Sequence, residues 1–195
     1  MPRKPTKRSR AKTGTRRSRK KVAKATRPVV RATRASTAQD LALRRHLIEL
    51  MRGGHAHATF DHAFDGLPAG LRDAKPSGAP HSPWQLLEHL RLAQWDILDF
   101  SRNPKYVTAK FPDDYWPSSD APADEAAWQT SVNAFHADLK AMEDLVLDPK
   151  TDLYAPIPHG DGQTILREAQ LIADHNAYHL GQIVLVRRLL GVWKE

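Results

Sequence analysis

The sequence contains no cysteine. That absence excludes disulfides, thiolate metal sites and a cysteine nucleophile. No run approaches the roughly 18 apolar residues of a membrane span. The N-terminus is basic but lacks the apolar segment that a secretory signal needs, and none follows the twin arginines of Thr15-Arg16-Arg17-Ser18. The apolar residues there are also too sparse for the amphipathic helix of an organellar transit peptide. There is no Ser/His/Asp triad, no phosphate-binding glycine loop and no dinucleotide fingerprint, which removes several common enzyme classes. Strand-like alternation and internal repeats are missing as well. These gaps point to a cytoplasmic protein with no membrane contact. At 195 residues the chain suffices for one domain with a real core.

The charge is divided unevenly. Residues 1–35 hold 15 Lys and Arg and no Asp or Glu, whereas the remaining 160 residues carry 15 basic and 22 acidic side chains. The basic pI therefore belongs to the first segment. Residues 1–35 have almost nothing to bury and read as a disordered tail, because such a segment cannot offset its own ordering entropy. Clustered cations without aromatics suit weak, non-specific nucleic-acid binding. The plainer readings are a solvated extension without a partner, or a start codon assigned too far upstream.

Residues 36–195 read as an all-α domain. Ser36 or Thr37 suits an N-cap, and Leu43, Leu47, Leu50 and Met51 follow at helical spacing. Gly53-Gly54 weakens this helix, and His55 to Phe64 is again compatible with helix. Ser82, Pro83 and Gln85 form a capping-box start for a second helix running to about Arg102. Its apolar face is Leu86, Leu90, Ala93, Ile97 and Phe100. A third helix spans about Ala123 to Leu147, and a fourth runs from near Thr164 to Leu190, stopped by Gly191. Four helices of about 20 residues argue for a four-helix bundle, with connections long enough for up-down-down-up order. The connection 103–122 carries Tyr106, Phe111, Tyr115, Trp116 and four prolines. Those aromatics either cover a cavity or pack over the bundle end.

The histidines carry the chemistry. His175 and His179 are one helical turn apart, so both imidazoles project from one face and can converge on an ion. Asn176, and not Glu, follows the first of them, so the zinc-protease motif is excluded. His89, beside the apolar face of the second helix, is the best third ligand; His57, His62 and His159 are lesser candidates. Three neutral imidazoles around zinc or nickel leave a position open, as in catalytic sites. On spacing alone, an ordinary polar pair on a helix surface competes with this reading.

Two segments tilt the balance. His81-Ser82-Pro83-Trp84-Gln85-Leu86-Leu87-Glu88-His89-Leu90, followed by Ala93-Gln94-Trp95-Asp96-Ile97-Leu98, resembles the second helix of the DinB-like, or damage-inducible, superfamily. Asp174-His175-Asn176-Ala177-Tyr178-His179-Leu180-Gly181-Gln182-Ile183, with Arg187, resembles its last helix. The resemblance covers about residues 37–193. It implies an up-down-down-up bundle, often a homodimer, with a metal triad that falls here on His89, His175 and His179. Relatives that use bacillithiol or mycothiol imply a metal-dependent thiol S-transferase acting on an electrophilic small molecule, with the thiol as cosubstrate.

Within that reading, Gln182 and Asp174 are the candidate catalytic residues. Gln182 lies one turn beyond His179 and can reach a group bound at the metal, and Asp174 can orient a ligand imidazole. Asp96 and Arg187 are candidates for a buried ion pair. The alternatives are a metal-dependent hydrolase, with Glu88 or Asp174 as base, and a non-enzymatic metal- or ligand-binding protein of a stress response.

Overall fold

A computed structural model describes residues 38–194 of the chain. The basic segment 1–35 and the cap expected at Ser36 or Thr37 lie outside that range. The described residues form five α-helices and no strand: α1 Ala38–Arg52, α2 Phe60–Phe64, α3 Pro83–Arg102, α4 Glu125–Leu147 and α5 Ile165–Leu189, with a 3-10 turn at Ala69–Leu71. Four are long. Helix α3 packs on α4 and α5, and α1 packs on the same two from the other side. This adjacency is compatible with the up-down-down-up order.

Local chemistry sets the helix limits. The Ser82 hydroxyl accepts from Gln85 N, and Gln85 Oε1 accepts from Ser82 N, a reciprocal capping box with Pro83 in the first turn. Thr164 caps α5 through Arg167 N. Asp124 caps α4 through Ala127 N, so that helix begins at Glu125, two residues past the expected Ala123. One expectation fails between α1 and α2. Gly53 and Gly54 both adopt left-handed backbone, with φ of 70° and 90°, and residues 53–59 form a connection. A Cβ at Gly53 would meet the His57 ring at 2.8 Å. Helix resumes only at Phe60, where the Thr59 hydroxyl accepts from His62 N. Two successive left-handed residues end a helix outright, where the periodicity of the side chains suggests continuation.

The core has two apolar clusters. Leu47, Ile48, Met51, Leu98, Met142 and Ile172 belong to one, and Phe60, Phe64, Trp84, Leu86, Leu90, Phe135 and Ile183 to the other. Each such buried side chain contributes about 1.5–3 kcal/mol. Two arginines tie the ends. Arg44 donates to the carbonyls of Val146, in the last turn of α4, and of Asp148 and Thr151 just beyond it. Arg187 donates to the carbonyls of His62, Ala63 and Val192. The expected Asp96–Arg187 ion pair is therefore absent. Arg187 is spent on the backbone around α2, while Asp96 accepts from the hydroxyls of Tyr106 and Tyr115.

Between the apolar clusters lies a polar layer. Asn176 Nδ2 donates to Gln94 Oε1 at 2.9 Å, and Gln94 Nε2 donates to the Phe135 carbonyl at 2.7 Å. The three histidines lie in the same middle section.

Candidate metal centre

Helices α3 and α5 bring His89, His175 and His179 together. His89 follows Leu86 and Leu87 on the buried side of α3, so packing of those leucines turns its ring into the bundle. His175 and His179 share one face of α5. His89 Nε2 lies 3.0 Å from His179 Nε2 and 3.1 Å from His175 Nε2. One ring nitrogen from each residue falls within 4.8 Å of the others, the one such grouping of metal-ligating side chains among the described residues.

The outer nitrogens decide what the inner ones offer. His89 Nδ1 lies 2.8 Å from the Tyr115 carbonyl, and His179 Nδ1 lies 2.7 Å from Gln182 Oε1. A carbonyl oxygen only accepts, so Nδ1 carries the proton and Nε2 presents a lone pair. Two lone pairs thus face each other at 3.0 Å with no proton between them, a repulsive contact unless a cation lies at their meeting point. His175 Nδ1 is buried without a partner, as is Asn176 Oδ1 on the next residue. Nitrogens about 2.1 Å from a common ion lie about 3.0–3.4 Å apart. The observed separations from His89 match, so the residues fit a divalent metal.

The electrostatics agree. Burial pushes His175 down to about 4, with His89 adding to the effect. Burial likewise pushes His179 down to about 4, and His175 and His89 reinforce it. Burial lowers His89 too, against an opposing pull from the Tyr115 carbonyl. Desolvation and mutual repulsion disfavour the imidazolium form. All three rings are neutral at pH 7 and available as ligands.

The segment 103–122 closes over the site. Trp116 stacks on His89 at 3.8 Å between ring centroids, with 2° between planes; it also stacks on His81 at 3.9 Å and meets His179 edge-on at 6.1 Å. Tyr115 supplies the carbonyl for His89 and anchors its own hydroxyl on Asp96. Its phenol is pushed up by burial and by Asp96, and that of Tyr106 is pushed up to about 12 for the same reasons, so both stay protonated donors. A cavity of about 480 Å³ opens beside the histidines, walled by Ala93, Ile97, Phe111, Tyr115, Trp116, Leu171 and Tyr178. Of the two roles open to the aromatics, lining a cavity is the one seen.

Of the remaining sequence candidates, only Gln182 touches one of the three histidines. His57 belongs to the 53–59 connection and bonds the Ala58 carbonyl. His62 stacks on Trp193, and His159 bonds the Phe100 carbonyl. Asp174 is exposed and outside the cavity wall. Gln182 is bonded to His179 and holds that ring. Glu88 is paired with both guanidinium arms of Arg91. Sequence reasoning missed the Tyr115 carbonyl, the Trp116 stack and the Asp96 anchor. Only the density of aromatics in 103–122 signalled them.

A family model described as the DinB superfamily matches residues 54–183, well over half of the chain and inclusive of all three histidines. No curated protein matches the chain, and no solved structure does.

Proposed function

The chain belongs to the DinB superfamily, and from that premise we propose that it is a metal-dependent thiol S-transferase centred on His89, His175 and His179. Zinc or nickel suits three neutral imidazoles. His89, His175 and His179 would hold such an ion, which would supply the charge that favours the thiolate form of a low-molecular-weight thiol at neutral pH. The observation that carries the proposal is the set of converging Nε2 atoms in the wall of a cavity lined mostly by apolar and aromatic side chains.

The protein's own residues do the rest. The Tyr115 carbonyl and Gln182 fix the tautomers and ring planes of His89 and His179. Trp116 shields His89 from water on one face. Phe111, Tyr178 and Leu171 make an apolar berth for the electrophile. Transfer is favoured over metal-assisted hydrolysis because no free carboxylate faces the histidines. Glu88 is held by Arg91, Asp174 is outside the cavity, and both Asp96 oxygens accept tyrosine hydroxyls. A hydrolysis that relies on a carboxylate general base therefore finds none here, whereas attack by a thiolate calls for none.

The test is thiol consumption with monochlorobimane by the zinc- or nickel-loaded chain, against the variant with all three histidines replaced by alanine. Acceleration confined to the loaded wild type supports transfer. Equal rates with every low-molecular-weight thiol tried remove it.

A further inference from the structure

A second cavity, of about 370 Å³, adjoins the first and shares Asp96, Ile97 and Leu171 with it. Its character is different. Asp96, Asp161 and Glu168 line it against a single guanidinium, Arg167. The two cavities form one groove between α3 and α5. Glu168, Leu171 and His175 stand at i, i+3 and i+7 on α5, and His89, Ala93 and Asp96 stand at i, i+4 and i+7 on α3. Seven residues of helix separate Glu168 from His175 by about 10 Å.

Glu168 is the unusual group. It is only 1% exposed. Its ion-pair partner, Arg167 at 2.8 Å, is more than half exposed on the rim. A buried carboxylate is costly unless well paired, and a solvated guanidinium on the neighbouring residue compensates poorly. Burial pushes the Glu168 carboxyl up, Arg167 opposes this, and the charge on Asp96 adds to the rise. Asp96 does not relieve its neighbour, because its oxygens are taken by Tyr106 and Tyr115. The one guanidinium in this half of the groove, Arg167, is more than half exposed and so compensates Glu168 only weakly.

We infer that the substrate is an amphipathic amine: its apolar, reacting end lies under Trp116 at the histidines, and its cationic end lies against Glu168 about 10 Å away. The inference rests on the histidine cavity being where the reacting end sits. An anionic end is disfavoured, because carboxylate or phosphate would meet three carboxylates and one arginine. A second metal is disfavoured too, since no other metal-ligating group of three or more occurs among the described residues.

The probe is 4-phenylbutylamine, compared with 4-phenylbutanol and 4-phenylbutyrate by calorimetric titration of the full chain, zinc-loaded and metal-free. The amine is expected to bind at least about tenfold more tightly than the alcohol, which corresponds to about 1.4 kcal/mol, and the carboxylate most weakly. Glu168→Gln should abolish the preference while zinc content is retained. Arg167→Gln removes the competing cation from an exposed rim position and should tighten amine binding about threefold. Equal or better binding of the carboxylate, or a preference that survives Glu168→Gln, overturns the inference. If Glu168→Gln does not fold, unchanged or weaker amine binding by Arg167→Gln overturns it. Zinc retained without amine preference sinks this inference alone; amine preference in a chain that binds no zinc sinks the metal reading alone.

Discussion

Gln94 and Asn176 lie between α3 and α5 with donors opposite acceptors: Asn176 Nδ2 meets Gln94 Oε1, and Gln94 Nε2 meets the Phe135 carbonyl. Between the same two helices, His89 and His179 meet with lone pair opposite lone pair. Both clusters are polar, buried and flanked by apolar core. The amide pair contributes to the fold as it stands, because the donors of both side chains meet acceptors within the protein. The imidazole cluster does not, since its outer bonds force its inner nitrogens into conflict. Burial of a polar group is thus not in itself a sign of function. The sign is a pair of rings whose outer hydrogen bonds leave their inner lone pairs meeting at one shared point.

Changes at the two clusters should therefore separate metal binding from stability. The largest effect is expected for His175→Ala or His179→Ala. Each should lower zinc affinity by well over about 100-fold, beyond what loss of an outer partner costs, and dialysed protein should carry no stoichiometric metal by elemental analysis. Full occupancy in either variant would end the three-ligand reading. Next comes Gln182→Leu, which frees the His179 ring. Zinc affinity should fall by about 10- to 100-fold, with one ion per chain still bound at saturation. An unchanged affinity would mean that the Nδ1 contact does not orient the ring.

Gln94→Leu should reverse the pattern. It leaves Asn176 Nδ2 without its partner, removes the side-chain bond to the Phe135 carbonyl, and should cost about 1–3 kcal/mol in denaturant unfolding. Zinc stoichiometry should stay the same. Loss of metal in this variant would show that the two clusters act as one. The smallest effect is expected far from both. Gly53→Ala places a Cβ on left-handed backbone against the His57 ring and should cost about 1 kcal/mol or slightly more, read from the thermal midpoint, without altering zinc affinity.

Much of the fold is legible in the sequence because the interactions involved are local. The Ser82–Gln85 box spans three residues, and its register places Leu86, His89, Leu90 and Ala93 on one side of α3. The one-turn spacing of His175 and His179 survives into the structure for the same reason: a helix preserves it. The stretch after Gly53 was not legible. Helical periodicity runs through His55 to Phe64, but two backbone conformations at Gly53 and Gly54 override it. Nor were the partners of Asp96 and Arg187, because charge complementarity in a sequence says nothing about which tyrosine or carbonyl lies nearer.

By itself, the sequence determined the helical class, the starts of α3 and α5, the family, and which three histidines deserved attention. Those rest on caps, spacing and motif, all read within a few residues of one another. Only the tertiary structure decided that His89 Nε2 lies within 3.1 Å of two rings 86 and 90 residues further along. It also decided that the Tyr115 carbonyl and Gln182 turn lone pairs inward, and that Trp116 and Glu168 bound the two ends of one groove. Tautomer, ring plane and cavity wall depend on contacts between segments far apart in the chain. No local pattern encodes them, because packing of the whole bundle sets which distant groups meet.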